Sequence, residues 1–489
     1  MLYMNKIRSF FLCLLVGLAA CNSAPDTVWS VTDRAPVFPD YTNITIPYNI
    51  APLNFMIEGA DGIWVVVRGQ NDSIRVRGKD KVRFPIDEWK HLLRKERGHE
   101  LRVSVLACKE GRWLAYPAFS WKIAAEPVDR YLSYRLIEPG YEVWNNLQLC
   151  ERCVENFEEK VIVDNKLTGG NCMNCHIYGR QNGSLSLFHL RGKGGGTVLN
   201  RDNKLRKLAL QADSMISAAV YGDFHPSGRY AVFSSNLIIP AFHALGSRRL
   251  EVFDTESDLL IADFDRNQLI LSPLTADKDA LETFPAFSAD GRWVYFCTAS
   301  NVVLPDSICH LKYSLCRIRF EAETGKWGTQ VDTLWNAQVR KGSACFPKVS
   351  PDGKFMLFTL ADYGTFPIWH RETDLYLMNL IEGTVQACTE ANSNRSDTYH
   401  SWSSNSRWFV FASKRGDGQY GKPYLAYMDS LGNVRKPFAL PQHDPEHYLT
   451  TFKSYNIPEL STTALPFDAM DIKRVYEQVP AERFTLVLQ

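Results

Sequence analysis

Phe224-His-Pro-Ser-Gly-Arg-Tyr-Ala-Val-Phe-Ser234 decides the architecture, because the chain repeats it three times. The further copies are Phe287-Ser-Ala-Asp-Gly-Arg-Trp-Val-Tyr-Phe-Cys297, Val349-Ser-Pro-Asp-Gly-Lys-Phe-Met-Leu-Phe-Thr359 and Trp402-Ser-Ser-Asn-Ser-Arg-Trp-Phe-Val-Phe-Ala412. First positions fall 63, 62 and 53 residues apart, the length of one four-stranded propeller blade with its loops. In each copy a Gly- or Asn-containing turn reverses the chain and an alternating, aromatic-rich strand follows. A second strand comes later in each: Leu250–Asp254, Cys316–Phe320, Asp374–Met378 and Pro423–Met428. One such sheet cannot bury both faces alone, so several must stack around an axis. The period predicts a β-propeller of five or six blades over residues 185–470, with strands near Leu185–Leu199 or after Val434 closing the ring. Residues 471–489 read as a C-terminal tail.

Ahead of the repeats, residues 37–127 alternate apolar and polar at period two. Ile63-Trp-Val-Val-Val67 and Leu101-Arg-Val-Ser-Val105 are the clearest strands, and Glu88 to Glu96 reads as a helix among them. Their number predicts a small β-sandwich of immunoglobulin or fibronectin type. Residues 128–184 read as irregular. The whole is all-β.

The 489 residues carry 55 Lys and Arg against 54 Asp and Glu, and this balance excludes a nucleic-acid partner that needs a basic face. Lys6 and Arg8 precede an apolar run from Phe10 to Ala20, too short to span a bilayer and typical of an export leader. Leu18-Ala-Ala-Cys21 then matches a lipobox: residues 1–20 are a signal peptide, Cys21 receives the lipid, and 21–36 form a tether. A plain signal peptide with an incidental cysteine is the alternative. The expected location is the periplasm-facing cell envelope, with the outer membrane preferred to the inner, and the lipid on Cys21 is the membrane contact.

The chemistry sits in Cys172-Met-Asn-Cys175-His176, which matches C-x-x-C-H. Two thiols three positions apart reach the two vinyl groups of a haem, and the adjacent His176 lies under the iron. His189, thirteen residues on, is the candidate second iron ligand, and Arg191 is the candidate partner of a propionate. His225 and His243 are weaker candidates. A competing reading adds Cys150 and Cys153, giving C-x2-C-x18-C-x2-C, the spacing of a four-cysteine zinc ribbon. Cys309 and Cys316 are the expected disulfide pair. No Gly-x-Ser-x-Gly and no His-Glu-x-x-His occurs, and the chain reads as a carrier or binding protein rather than an enzyme.

The repeats resemble those of TolB-like, PD40-type propellers. Asn43–Phe55, Pro139–Asn145, the C-x-x-C-H run, Phe188-His-Leu-Arg191 with Gly195-Gly-Thr197, and Ser454–Leu460 together resemble a Bacteroidetes family of exported propeller proteins with one C-x-x-C-H motif. That resemblance implies a propeller and a c-type haem without fixing a reaction. Two functions follow as expectations. One is electron transfer between the haem and a docked periplasmic or membrane redox protein. The other is an envelope binding scaffold for protein, peptide or glycan with a structural haem or zinc.

Overall fold

The repeated turns close as the repeat requires. Ser288 Oγ donates to Asp290 Oδ1 at 2.6 Å and accepts from Trp293 N at 3.0 Å. Ser350, Asp352 and Phe355 make the same pair of bonds at 2.6 and 3.0 Å. The glycines that end these turns, Gly228, Gly291 and Gly353, have φ of 70°, 74° and 71°, a region closed to most side chains. Each turn joins the innermost strand of a blade to its aromatic second strand.

The computed structural model describes Pro25 and residues 27–138, 146–241 and 251–489. Six blades surround one axis. Blades three to six are four-stranded units that begin with Ala219–Phe224, Ala280–Phe287, Ser343–Val349 and Asp397–Trp402. Blade two begins with Met173–Gly179 and continues through Asn182–Leu190, Gly196–Arg201 and Lys204–Ala209. Blade one takes Tyr131–Ile137, Leu147–Cys153 and Glu159–Asp164 from the segment read as irregular. Its innermost strand comes from the far end of the chain: Ser454–Ser461 pairs antiparallel with Tyr131–Ile137 and closes the ring.

The sequence-based boundaries therefore move. The propeller starts near 131 rather than 185, and 128–184 is regular strand over most of its length. The tail is also structured. Helix Ala469–Gln478 leads to Glu482–Arg483 and Thr485–Leu488, which add parallel edge strands to blades two and three.

The N-terminal residues form a seven-stranded sheet, a two-stranded ribbon and helix Ile86–Lys95, which buries Trp89, Leu92 and Leu93. A two-sheet sandwich is not shown; Glu100–Lys109 instead joins the strands into one sheet. This sheet shares one apolar core with blades six and one, where Trp121 and Val103 meet Trp408, Leu425 and Tyr134. Trp408 Nε1 donates to Glu126 O at 3.1 Å, and the Asp129 carboxylate accepts from Ser404 N and Ser404 Oγ, both at 2.7 Å. Cys309 and Cys316 are separate free thiols, one exposed and one buried, so the expected disulfide is absent. Among the described residues no helix is long and apolar enough to cross a membrane. The leader, Cys21 and His243 lie outside the described residues.

Candidate functional site

Each innermost strand breaks its ladder at the same place. In five blades the residue at the break has a left-handed backbone: Tyr221, Phe284, Phe346, Tyr399 and Ile457 have φ of 46°, 49°, 52°, 50° and 52°. The register shifts there between Val220 and Asp223, Thr283 and Ala286, Cys345 and Lys348, and Thr398 and Ser401. In blade two the shift lies between Asn174 and Ile177, which puts Cys175 and His176 in the bulge. A bulge inserts an unpaired residue and re-aims its neighbours, here toward the axis. Non-glycine residues rarely adopt positive φ, so five such residues at one structural level mark a site the fold holds against local preference.

The bulges line an axial chamber with an open mouth and an internal volume of about 70 Å³. Tyr221, Phe284, Phe346 and Tyr399 form an arc of rings with successive centroids 5.1, 4.0 and 5.1 Å apart. Next to them stand His176, Gly222, Pro285, Pro347 and His400, with Lys348 beside. Gly222 is required: a Cβ there would lie 2.4 Å from the Phe233 ring. Lys348 Nζ reaches Asp223 Oδ1 at 3.4 Å, and Asp223 Oδ2 accepts from Phe287 N at 2.8 Å. Glu459 accepts from Tyr178 N at 3.2 Å, and burial pushes its carboxyl up to about 7.

His176 is 5% exposed and its Nε2 has no hydrogen-bond partner. Burial, with the charges of Arg135 and Lys348, lowers its pKa to about 3, so the ring is neutral. The iron ligand expected from C-x-x-C-H is thus delivered into the chamber as a neutral base. His400 shares the chamber, is 4% exposed, and has a pKa lowered to about 4, chiefly by burial. Backbone groups of Phe346 and Leu357 stand near enough to favour its charged form slightly, yet neither ring nitrogen makes a well-formed hydrogen bond.

The other expected ligands go elsewhere. His189 lies on the second strand of blade two opposite Asn174, shares a 2.8 Å hydrogen bond between Nδ1 and Thr197 Oγ1, and packs edge-on to Phe233. It does not line the chamber. Arg191 follows that strand, and its backbone N donates to Cys172 O at 3.2 Å. His225 is tied to Ser227 in the blade-three turn, away from the chamber. Cys172 is half-buried against the apolar core between blades one and two. Cys150 packs into the core under the N-terminal sheet, where burial pushes its thiol up to about 12. Cys150 and Cys172 thus sit in different cores, and among the described residues no three His, Cys, Asp or Glu are placed to hold a metal ion. For a haem, His176 is a fitting donor, whereas Cys172 packs into the core between blades one and two and His189 is bonded to Thr197, so neither stands in the chamber.

Comparison with known proteins gives only remote likenesses. No protein-family model matches the chain, and no curated protein matches it. Among solved structures, prolyl oligopeptidase B from Galerina marginata is similar at 10% identity and a TM-score of 0.33, covering 69% of this chain and 42% of that one. A DUF4784 family protein from Bacteroides caccae is similar at 10% identity and 0.29, over 71% of this chain and 94% of that one. Porphyromonas gingivalis dipeptidyl peptidase 4 is similar at 10% and 0.29, over 62% and 49%. The chain thus spans less than half of the first and the last of these.

Sequence reasoning missed the chamber and His400. A signal existed. The three residues before each repeat turn align across blades as Tyr221-Gly-Asp, Phe284-Pro-Ala, Phe346-Pro-Lys and Tyr399-His-Ser, with Ile457-Pro-Glu and Cys175-His-Ile completing the six.

Proposed function

We propose that the protein is a lipid-anchored envelope propeller that carries a c-type haem attached through Cys172 and Cys175 with His176 on the iron. One observation carries the reading: the histidine of the C-x-x-C-H motif faces the axial chamber, neutral and with Nε2 unbonded. Such a group, when bound, supplies one-electron exchange with a docked redox protein. The chain's own part is to keep His176 unprotonated by burial and to exclude water with the aromatic arc. Cys21 would hold the protein to the periplasmic face of the envelope.

A second reading is favoured by the arc itself. Four aromatic rings around an open-mouthed, largely apolar space are what a binding platform presents to a guest. In that case the propeller is a scaffold, and the C-x-x-C-H motif is a structural element of blade two.

Production of the mature chain beside a periplasmic haem-attachment system separates them. A haem-staining band that survives denaturing electrophoresis, and is lost in Cys172→Ala with Cys175→Ala, is the expected result. Full-length chain with no covalent haem would overturn the first reading in favour of the scaffold. Cys21→Ser is expected to move the protein from the membrane to the soluble envelope fraction.

A further inference from the structure

The second and third strands of blade three, Tyr230–Ala241 and Glu251–Asp263, stay paired beyond Ser235, where the innermost strand Ala219–Phe224 stops. In this ribbon Asn236 lies opposite Ser257 and Ile238 opposite Asp254, so the four share one face. Leu237 and Ile239, on the other face, are 44% and 42% exposed. The first face turns inward over blades four and five. Ile238 packs with Phe284, Cys345 and Phe366, and Asn236 Nδ2 donates to Thr283 Oγ1 at 3.1 Å.

That face carries oxygen with nothing to bond. Asp254 is fully buried, and neither of its carboxyl oxygens has a hydrogen-bond partner. Asn236 Oδ1 beside it is unpaired as well. Tyr313 precedes the third strand of blade four, and Thr365 lies in the loop after the second strand of blade five. Their hydroxyls face each other, fully buried, and neither makes a well-formed hydrogen bond. The Asp254 charge acts on both Tyr313 and Cys345, which places the carboxyl between the ribbon and those two blades. Buried polar atoms in folded proteins are nearly always paired. Open oxygens from three blades at one place point to a positively charged ligand from outside the chain.

We infer that Asp254, Asn236, Tyr313 and Thr365 hold a single alkali-metal cation, sodium or potassium, that pins the blade-three ribbon to blades four and five. An all-oxygen donor set suits a hard cation rather than zinc or copper. Asp254 is the one carboxyl of the four, so a singly charged ion balances it. A divalent ion would leave a net charge in the core. Burial raises the Asp254 carboxyl to about 7, so at neutral pH the ion takes the place of a proton. The site is one packing layer from the axial chamber, because Ile238 rests against Phe284 of the aromatic arc. It stands independently of the haem reading.

The test is thermal unfolding of the mature chain at pH 8 in choline, sodium, potassium and calcium chlorides, all at one ionic strength. Screening then acts alike in every salt. The midpoint should rise with sodium or potassium concentration, by about 2 °C or more over a hundredfold range, and calcium should not replace them. Asp254→Asn keeps the side-chain volume, removes the charge and should lose the dependence. Tyr313→Phe removes one oxygen and should move the response to higher concentration; it serves if Asp254→Asn does not fold. Midpoints that coincide in choline, sodium and potassium leave the space to water and overturn the inference. A response unchanged in Asp254→Asn, or in Tyr313→Phe where that is the variant that folds, places the ion elsewhere and overturns it too. A response to calcium with none to sodium or potassium overturns the single charge.

Discussion

Gly222 shows how little freedom a chamber residue has. The Phe233 ring stands where a side chain would begin, and the backbone of Val232 lies 3.0 Å from the same point. Three of the other five bulges differ: proline at 285, 347 and 458 fixes φ and gives up an N–H that the broken ladder does not need, while 176 and 400 hold histidine. Gly222→Ala must push Phe233 aside, and Phe233 is fully buried against the core between blades two and three. Overpacking of this kind costs about 1–3 kcal/mol. A lowered urea midpoint is the expected result, without change in the secondary-structure spectrum. A stability equal to wild type would mean that Phe233 has room the structure does not show. His189, edge-on to the same ring, should report the shift as a changed imidazole resonance.

Among elements, the closing strand and the final edge strands both come from the C-terminal part of the chain and differ in consequence. Ser454–Ser461 is the innermost strand of blade one and supplies Ile457 to the chamber, while Leu460 enters the core shared with the N-terminal sheet. Glu482–Arg483 and Thr485–Leu488 sit on outer edges, held by pairs such as Arg206 Nε to Glu482 Oε1 at 2.9 Å. Ending the chain after Lys453 should abolish the folded state, seen as loss of cooperative unfolding and of a compact elution volume. Ending it after Gln478 should leave a folded ring with a lower midpoint. Equal behaviour of the two truncations would refute the closure argument. The same contrast explains what the sequence reveals. Blades three to six were readable because the Gly- or Asn-containing turn and the aromatic strand after it are local signals. Blade two turns through Arg180 and Gln181, both at positive φ without glycine, so its hairpin carries no such mark. Blade one joins strands from opposite ends of the chain, and no local pattern encodes that pairing. Of the site, C-x-x-C-H was legible as a contiguous motif. His400 was not, because its meaning depends on the bulge register it shares with His176.

Across the whole molecule, buried ionisable groups set a pH profile with two opposing arms. Burial raises Glu459 and Asp254 to about 7 and Glu282 to about 8, so the folded state keeps these carboxyls protonated above the pH at which the unfolded chain releases them. Folding then binds protons, and their contribution to stability falls as pH rises from about 4 to about 8. His176, His189 and His400 work the other way. Lowered to about 3, 3 and 4, they stay neutral while unfolded histidines protonate, so stability falls as pH drops below about 6.5. Between about 4.5 and 6.5 the two arms offset. Above 6.5 the carboxyls act alone, and stability should decline from there to about pH 8. Raising Glu459 from 4.5 to about 7 corresponds to at most about 3 kcal/mol at high pH. Glu459→Gln removes that cost and keeps an acceptor for Tyr178 N, so the variant should be more stable than wild type at pH 8 and equal to it at pH 4.5. Urea unfolding at the two pH values reads this directly. An equal gain at both would assign the effect to packing, and a loss at pH 8 would mean that Lys348 holds Glu459 ionised in the folded ring.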